Sequence, residues 1–212
     1  MSYYLFNEIP RYHIDGFVSV RDSYDNILNI LNFIETVNNC NHHMTDDENN
    51  IDLAIFTGDC SRLLVKKEDG YYTMSMPFQI IDHGDTISFN LNYVNLAITN
   101  QFISIMRSCV TLCKTVGHSS EDIILSICES YSVELSDAVM YHDTFSMLAS
   151  QDHGYFRFDD DLPNSNGRVH PRYHFDFYMN NATSVKFGIG TNINFDFFKN
   201  LFDKTKAKPF LS

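Results

Sequence analysis

The sequence predicts an α+β fold with a mainly antiparallel sheet, a central antiparallel helix pair and a C-terminal amphipathic helix. Segments in which apolar and polar residues alternate occur early and late in the chain, whereas helical periodicity fills the middle. The chain contains 18 Phe and 12 Tyr but no Trp, and large aromatic residues in alternating segments favour sheet packing. A chain of 212 residues fits one large domain, so we expect residues 1–212 to form a single unit.

The N-terminal segment predicts one helix after a short strand. Phe17–Val20 has strand character, and Ser23 is a plausible N-cap for the helix that follows. One apolar stripe at helical spacing supports that helix: Ile27, Ile30, Leu31, Ile34 and Val37. Residues 38–50 are polar, acidic and rich in Asn, which predicts an exposed loop.

A strand meander is expected next. Its strands are predicted at Ile51–Thr57, Arg62–Lys67, Tyr71–Ile81 and Thr86–Leu91. The turns lie at Glu68–Gly70 and Asp82–Asp85. Pro77 cannot donate a ladder hydrogen bond, so it predicts an edge or a bulge in the third of these strands.

The middle of the chain changes to helical periodicity. Tyr93–Val116 predicts one helix that ends at Gly117, and a capping box at Ser119–Asp122 begins its antiparallel partner. This second helix is expected to break before another turn at Ala138–Leu148. Cys109 and Cys113 share one face of the first helix, where an apolar stripe favours a core position over a metal site.

The C-terminal unit, about 155–203, contains the most unusual chemistry. Alternation in Tyr155–Asp159 and Tyr173–Met179 places the core residues Phe156, Phe158, Phe175, Phe177 and Met179 on one face. Asn180–Asn181 can turn the chain into a strand at Ser184–Ile189. Asn194 begins the final helix, whose apolar side carries Phe195, Phe198, Leu201 and Phe202.

The opposite face of these two strands carries the candidate site. Arg157 and Asp159 point away from the Phe face in the first strand, as do His174 and Asp176 in the second. If the strands are neighbours, these side chains converge, because adjacent strands lie about 4.8 Å apart. His170 begins the second segment, and we include it in the candidate site.

Four uses of this set remain open. His174 can act as a general acid or base oriented by Asp176, with Arg157 stabilising an anionic transition state. His170, His174 and a carboxylate can hold a divalent metal, or Arg157 and His174 can bind an anion. The fourth alternative is a salt-bridged polar face without a ligand. His-x3-His on a strand differs from the helical His-Glu-x-x-His spacing, so we assign no metal. Glycine-rich phosphate loops are missing from the sequence, so we assign no cofactor.

Charge and cysteine content limit the class of protein. The net charge of −12 disfavours a broad nucleic-acid-binding surface, because binding phosphates requires clustered Lys and Arg. The N-terminus does not resemble a secretory signal, and no apolar run is long enough to span a membrane. Five irregularly spaced cysteines then indicate free thiols and a cytoplasmic location.

The C-terminal part of the chain resembles an uncharacterised bacterial family. The resemblance rests on Arg157-x-Asp159, an intervening loop, His170-Pro171-x-x-His174 and a Phe-rich terminal segment, and it covers about a quarter of the chain. Members of that family are often encoded near mobile elements and phage-defence genes. The resemblance therefore implies a cellular setting and no particular reaction.

Two functions are expected on these grounds. The first is an accessory or regulatory subunit of a bacterial anti-phage assembly that contacts the other protein subunits of the complex. Its partner anchors would include exposed aromatic residues among Tyr3, Tyr4, Phe6, Tyr71 and Tyr72. The alternative is a small phosphodiesterase or RNase-like effector that uses the His/Arg/Asp site. Whether the protein is an enzyme is thus left open by the sequence.

Overall fold

The computed structural model describes residues 1–58, 60–92, 94–115, 117–178 and 185–208. Within these residues the strands are β1 Ser2–Phe6, β2 Met44–Thr45, β3 Leu53–Thr57, β4 Arg62–Lys67, β5 Gly70–Ser75, β6 Gln79–Asp82, β7 Ile87–Leu91, β8 Leu96–Ala97, β9 Phe156–Asp160, β10 Tyr173–Phe177 and β11 Val185–Gly188. The α-helices are α1 Arg11–Asp15, α2 Ser23–Cys40, α3 Asn100–Thr115, α4 Ser120–Tyr131, α5 Leu135–Ser150 and α6 Phe195–Phe202. The predicted α+β class is confirmed.

Two antiparallel sheets organise these strands. The larger has eight strands in the order β11-β10-β9-β5-β4-β3-β1-β2, and the smaller has the order β6-β7-β8. The late strands β9–β11 extend the early meander, because β9 pairs with β5. The candidate-site strands are therefore joined to the rest of the sheet through one long-range pairing.

The larger sheet buries apolar side chains on both faces. On one face, Leu63 and Val65 of β4 belong to the main core, together with apolar residues of α2, α3 and α5. On the other face, Phe158 and Phe175 pack with the apolar side of α6, which contributes Phe195, Phe198 and Phe202. The predicted Phe core is confirmed, with Phe156 and Phe177 partly buried at its margin.

The N-terminal predictions need three corrections. Phe17–Val20 is not a strand; the chain forms the short helix α1 just before it. The N-cap of α2 is Asp22, whose side chain accepts from the Asp25 amide, so the predicted cap was one residue late. The predicted loop at 38–50 is shorter, since α2 continues to Cys40 and is followed by a 3-10 turn and β2.

The predicted strand Tyr71–Ile81 is divided at Pro77. Its first part is β5 of the large sheet, and its last part is β6 of the small sheet. Pro77 therefore lies in the connection between the two sheets and not at a bulge within one strand. Proline has no amide proton to donate to a ladder, so it is tolerated in such a connection. The turn after β6 and the buried face of β7 at Ile87, Phe89 and Leu91 are as predicted.

The centre of the chain holds three helices, because the predicted break divides the second helix into α4 and α5. The first helix, predicted from Tyr93, begins only at Asn100, after the short strand β8. The capping box at Ser119 and Asp122 starts α4 as expected. Ser132 then adopts a left-handed conformation (φ 52°), which ends α4 and separates it from α5.

In the described residues, the structure holds no helix long and apolar enough to cross a membrane.

The C-terminal elements agree with the predictions where the structure describes them. Asn194 caps α6 by accepting from the Phe197 amide. The predictions for Tyr93, Val116, Met179, Asn180–Asn181 and Ser184 fall outside the described residues.

Candidate functional site

The pairing of β9 with β10 positions the candidate site. His174 lies opposite Asp159, and Asp176 lies opposite Arg157. Directly opposite residues of neighbouring strands share a face, so these four side chains point to the same side of the sheet. The predicted convergence of these four residues is confirmed.

The neighbouring strand shows why this face is unusual. Tyr72 of β5 lies opposite Arg157, and Tyr72 belongs to the main apolar core under the helices. The same face therefore changes from apolar to ionic where the sheet passes from β5 to β9. Burial continues across this boundary, since His174 is fully buried and Asp176 is only 6% exposed.

Arg157 is the link between the two carboxylates. Its Nη2 donates to Asp176 Oδ2 at 2.6 Å, and its Nη1 donates to Ser19 Oγ. Its Nε lies 2.9 Å from Asp159 Oδ2, but this contact is an ion pair without the alignment of a hydrogen bond. Burial alone would lower the pKa of Arg157; the attraction of Asp159 and the bond to Asp176 raise it instead.

The two carboxylates respond differently to burial. Burial raises the pKa of the Asp159 carboxyl, and the nearby Asp176 carboxylate adds to this effect against the attraction of Arg157. Burial also acts to raise the pKa of Asp176, but hydrogen bonds from Lys186 and Arg157 outweigh it and leave that pKa lowered. Asp176 is therefore the better stabilised anion of the pair.

His174 is held in one tautomer by its neighbours. Its Nδ1 lies 2.8 Å from the Pro171 carbonyl, which only accepts, so Nδ1 carries the proton. Its Nε2 lies 2.8 Å from the Lys186 ammonium, which only donates, so Nε2 presents a lone pair. This arrangement describes a neutral imidazole with both nitrogens engaged.

Lys186 is a member of the cluster that the sequence reasoning did not include. It lies opposite Asp176 on the edge strand β11, and its Nζ donates to Asp176 Oδ2 at 2.9 Å. The ammonium is also 2.9 Å from Asp176 Oδ1, but that oxygen accepts no aligned hydrogen bond. The sequence contains a signal for Lys186. In the predicted strand Ser184–Ile189, alternation places Val185 and Phe187 on one face and Lys186 on the opposite face.

His170 lies beside the cluster and bonds elsewhere. Its ring is 5.0 Å from the His174 ring, edge to face. Its Nε2 contacts Asp161 Oδ2 at 2.9 Å, so its partner is in the β9–β10 loop. The structure thus brings together four of the five predicted residues and leaves His170 as a neighbour that orders the loop.

Comparison with known proteins adds no assignment. No protein-family model, curated protein or solved structure matches this chain. The bacterial family resemblance therefore stays a prediction.

The cluster is balanced in charge. Two carboxylates, Asp159 and Asp176, face two cations, Arg157 and Lys186, around the neutral His174. Such a set can stabilise the sheet by mutual pairing or, if one cation leaves, present a negative site with an imidazole lone pair. The contacts agree with the salt-bridged alternative: Arg157 bonds carboxylates and His174 bonds a backbone carbonyl.

A separate cleft of about 240 Å³ lies between the sheet and the start of α6. Glu48 lines it and accepts hydrogen bonds from Lys199 of α6 and from Tyr3, which lower the pKa of the Glu48 carboxyl. Tyr71 also lines this cleft.

Among the predicted aromatic anchors, however, Phe6 and Tyr72 are buried in the main core, so they are not available to a partner.

Proposed function

We propose that this chain works as a binding subunit that contacts another protein, with the Arg157–His174 cluster acting as a support for the contact surface. The observation that carries the proposal is the closed state of the cluster. His174 is fully buried with both nitrogens engaged, whereas a general acid or base must reach the proton of its substrate. The bacterial anti-phage setting of the assembly is proposed from the family resemblance alone.

Edge strand β11 supports a specific contact surface. Ile189 donates to the Tyr173 carbonyl at 2.9 Å, which makes these two residues a hydrogen-bonded pair. Since such pairs alternate in an antiparallel ladder, the amides and carbonyls of Lys186 and Gly188 point to the outer side of the sheet. An outer edge of this kind accepts an added strand from another protein.

Exposed apolar side chains lie on this edge strand and on the loop that touches it. Phe187 of β11 is 43% exposed, and the β9–β10 loop presents Leu162 at 61% and Val169 at 85%. The loop reaches β11 at Pro171, whose ring lies so close to Gly188 that a Cβ there would be 2.6 Å from Pro171 Cγ. We propose that an extended segment of a partner subunit adds to β11 and packs an apolar residue against Phe187.

Phe187→Lys and Val169→Asp test this surface. Each should leave the melting temperature nearly unchanged, because the side chains are exposed, while co-purification with products of neighbouring genes and phage protection are lost together. Leu125→Asp is the matched control, since Leu125 is 55% exposed and lies on helix α4, which is not part of the sheet. A stoichiometric complex that survives both variants would contradict the proposed surface.

The effector alternative is favoured by one observation, the convergence of Arg157 with His174 and two carboxylates. Such a set suits phosphodiester cleavage if the cluster opens to substrate. Purified protein would then cleave RNA or a nitrophenyl phosphodiester, and Asp159→Asn would abolish cleavage in a folded protein. Loss of phage protection in that variant, with the partner complex intact, would overturn the pure-subunit proposal.

A further inference from the structure

The Lys186 ammonium contacts two of three side chains that offer metal-ligand atoms. Asp159, His174 and Asp176 each offer one ligand atom, and these atoms all lie within 4.8 Å of one another. Lys186 Nζ contacts the His174 nitrogen at 2.8 Å and the Asp176 carboxylate at 2.9 Å. A side-chain cation thus interacts with the same lone pairs that a metal would use.

We propose that Asp159, His174 and Asp176 form a site for a divalent transition-metal ion, and that Lys186 occupies this site in its metal-free form. The inference goes beyond the binding function proposed above and does not depend on it. Metal entry requires that the Lys186 side chain, which is 27% exposed on an edge strand, swings outward, and that Asp159 Oδ2 is shared between the metal and Arg157.

The distances between the ligand atoms fit an ion of the size of Zn²⁺. His174 Nε2 lies 3.4 Å from Asp159 Oδ2 and 3.8 Å from Asp176 Oδ1. Ligands bound tetrahedrally at about 2.1 Å from a Zn²⁺ ion are separated by about 3.4 Å. The two distances from the histidine therefore need little adjustment, and the two carboxylate oxygens already lie within 4.8 Å of each other.

The orientation of the imidazole is a second and independent observation. A metal-bound histidine usually donates its other ring N–H to a backbone carbonyl or a carboxylate, which fixes the tautomer. His174 does this through Nδ1 to the Pro171 carbonyl, so Nε2 is already directed at the carboxylates.

Asp176 adds a third observation. Asp176 is only 6% exposed, yet its Oδ1 accepts no aligned hydrogen bond among the described residues. This oxygen pairs with the Lys186 ammonium at 2.9 Å and lies 3.8 Å from His174 Nε2, so a cation already balances it beside the histidine lone pair. One nitrogen and two oxygen ligands suit Zn²⁺, Co²⁺ or Mn²⁺ better than Mg²⁺ or Ca²⁺, which take oxygen ligands.

Lys186→Met provides the sharpest test. Removing the competing cation should tighten Zn²⁺ binding by about tenfold or more, because in the wild type the ammonium must first leave the His174 nitrogen and the Asp176 carboxylate. Binding is measured by calorimetry with Zn²⁺ alone and by the visible absorption of Co²⁺ in a tetrahedral nitrogen and oxygen site. Lys199→Met is the matched control, because this lysine pairs with Glu48 on the other face and should leave the affinity unchanged.

The ligands are tested in the same background. Adding His174→Ala or Asp176→Asn to Lys186→Met should weaken Zn²⁺ binding at least about tenfold and remove the Co²⁺ absorption. If Lys186→Met fails to fold without metal, the wild-type protein decides the question through the NMR signal of the His174 ring during a Zn²⁺ titration. A His174 signal that is unmoved by about 1 mM Zn²⁺ in the wild type, or Lys186→Met binding no tighter than wild type, would overturn the metal site.

Discussion

At the scale of single residues, burial decides the role of each aromatic side chain in the C-terminal unit. Phe175 is 4% exposed, and its ring lies 5.7 Å from both Phe158 and Phe197. Phe187, directly opposite it on β11, is 43% exposed. Phe175 therefore occupies a core position and Phe187 a surface position, although both lie on the same face of the sheet.

Phe175→Ala is expected to reduce the free energy of unfolding by about 3–5 kcal/mol, because it leaves a cavity among packed rings. Urea unfolding followed by far-UV circular dichroism measures the change. Phe187→Ala is the matched control and should cost clearly less, since much of its ring already contacts water. An unchanged unfolding midpoint for Phe175→Ala would show that the ring is not in the core.

At the scale of elements, helix ends depend on single polar side chains. Asp22 caps α2 through the Asp25 amide, and its carboxylate also pairs with Lys114 of α3 at 3.2 Å. The cap requires an acceptor oxygen, whereas the ion pair requires a charge. Substitutions at this one position can therefore separate the two contributions.

Asp22→Ala should lower the free energy of unfolding by about 0.5–2 kcal/mol, as expected for loss of an N-cap. Asp22→Asn keeps the cap and loses only an exposed ion pair, so its cost should be smaller. Ser23→Ala is the control, because the structure places Ser23 inside the helix. A larger cost for Ser23→Ala than for Asp22→Ala in denaturant unfolding would argue for the cap that the sequence suggested.

At the scale of the whole molecule, the pairing of β5 with β9 joins the early and late strands of the large sheet. Gly70 at the start of β5 lies opposite Asp159 of β9. A Cβ added at Gly70 would be 1.9 Å from the Phe158 carbonyl oxygen, so only glycine allows the strands to approach this closely. The candidate site is attached to the sheet at this point.

Gly70→Ala should therefore force β9 away from β5 and cost about 3 kcal/mol, at the upper part of the range for overpacking. Thermal unfolding measures the loss, and hydrogen exchange of β9 and β10 amides should show that it is concentrated there. Gly117→Ala is the control, since a Cβ there has no atom within 4 Å among the described residues. A wild-type melting temperature for Gly70→Ala would contradict this account of the junction.

The sequence by itself determined the faces of the strands and most of the helices. Alternation separated Phe158 and Phe175 from Arg157 and His174, because side chains along a strand point in opposite directions with a period of two. This is a local property of the backbone, so it can be read without knowing the partner strand. The caps at Ser119 and Asn194 were predictable for the same reason, as each acts within three residues.

Only the tertiary structure decided which strands became neighbours. The pairing of β9 with β5, the division at Pro77 and the arrival of Lys186 beside His174 depend on residues far apart in the chain. Strand pairing is set by the packing of whole faces and by closure of long loops, which local periodicity does not encode. The sequence therefore placed four charged or polar side chains on one face, while the fold supplied the cation that completes their charge balance.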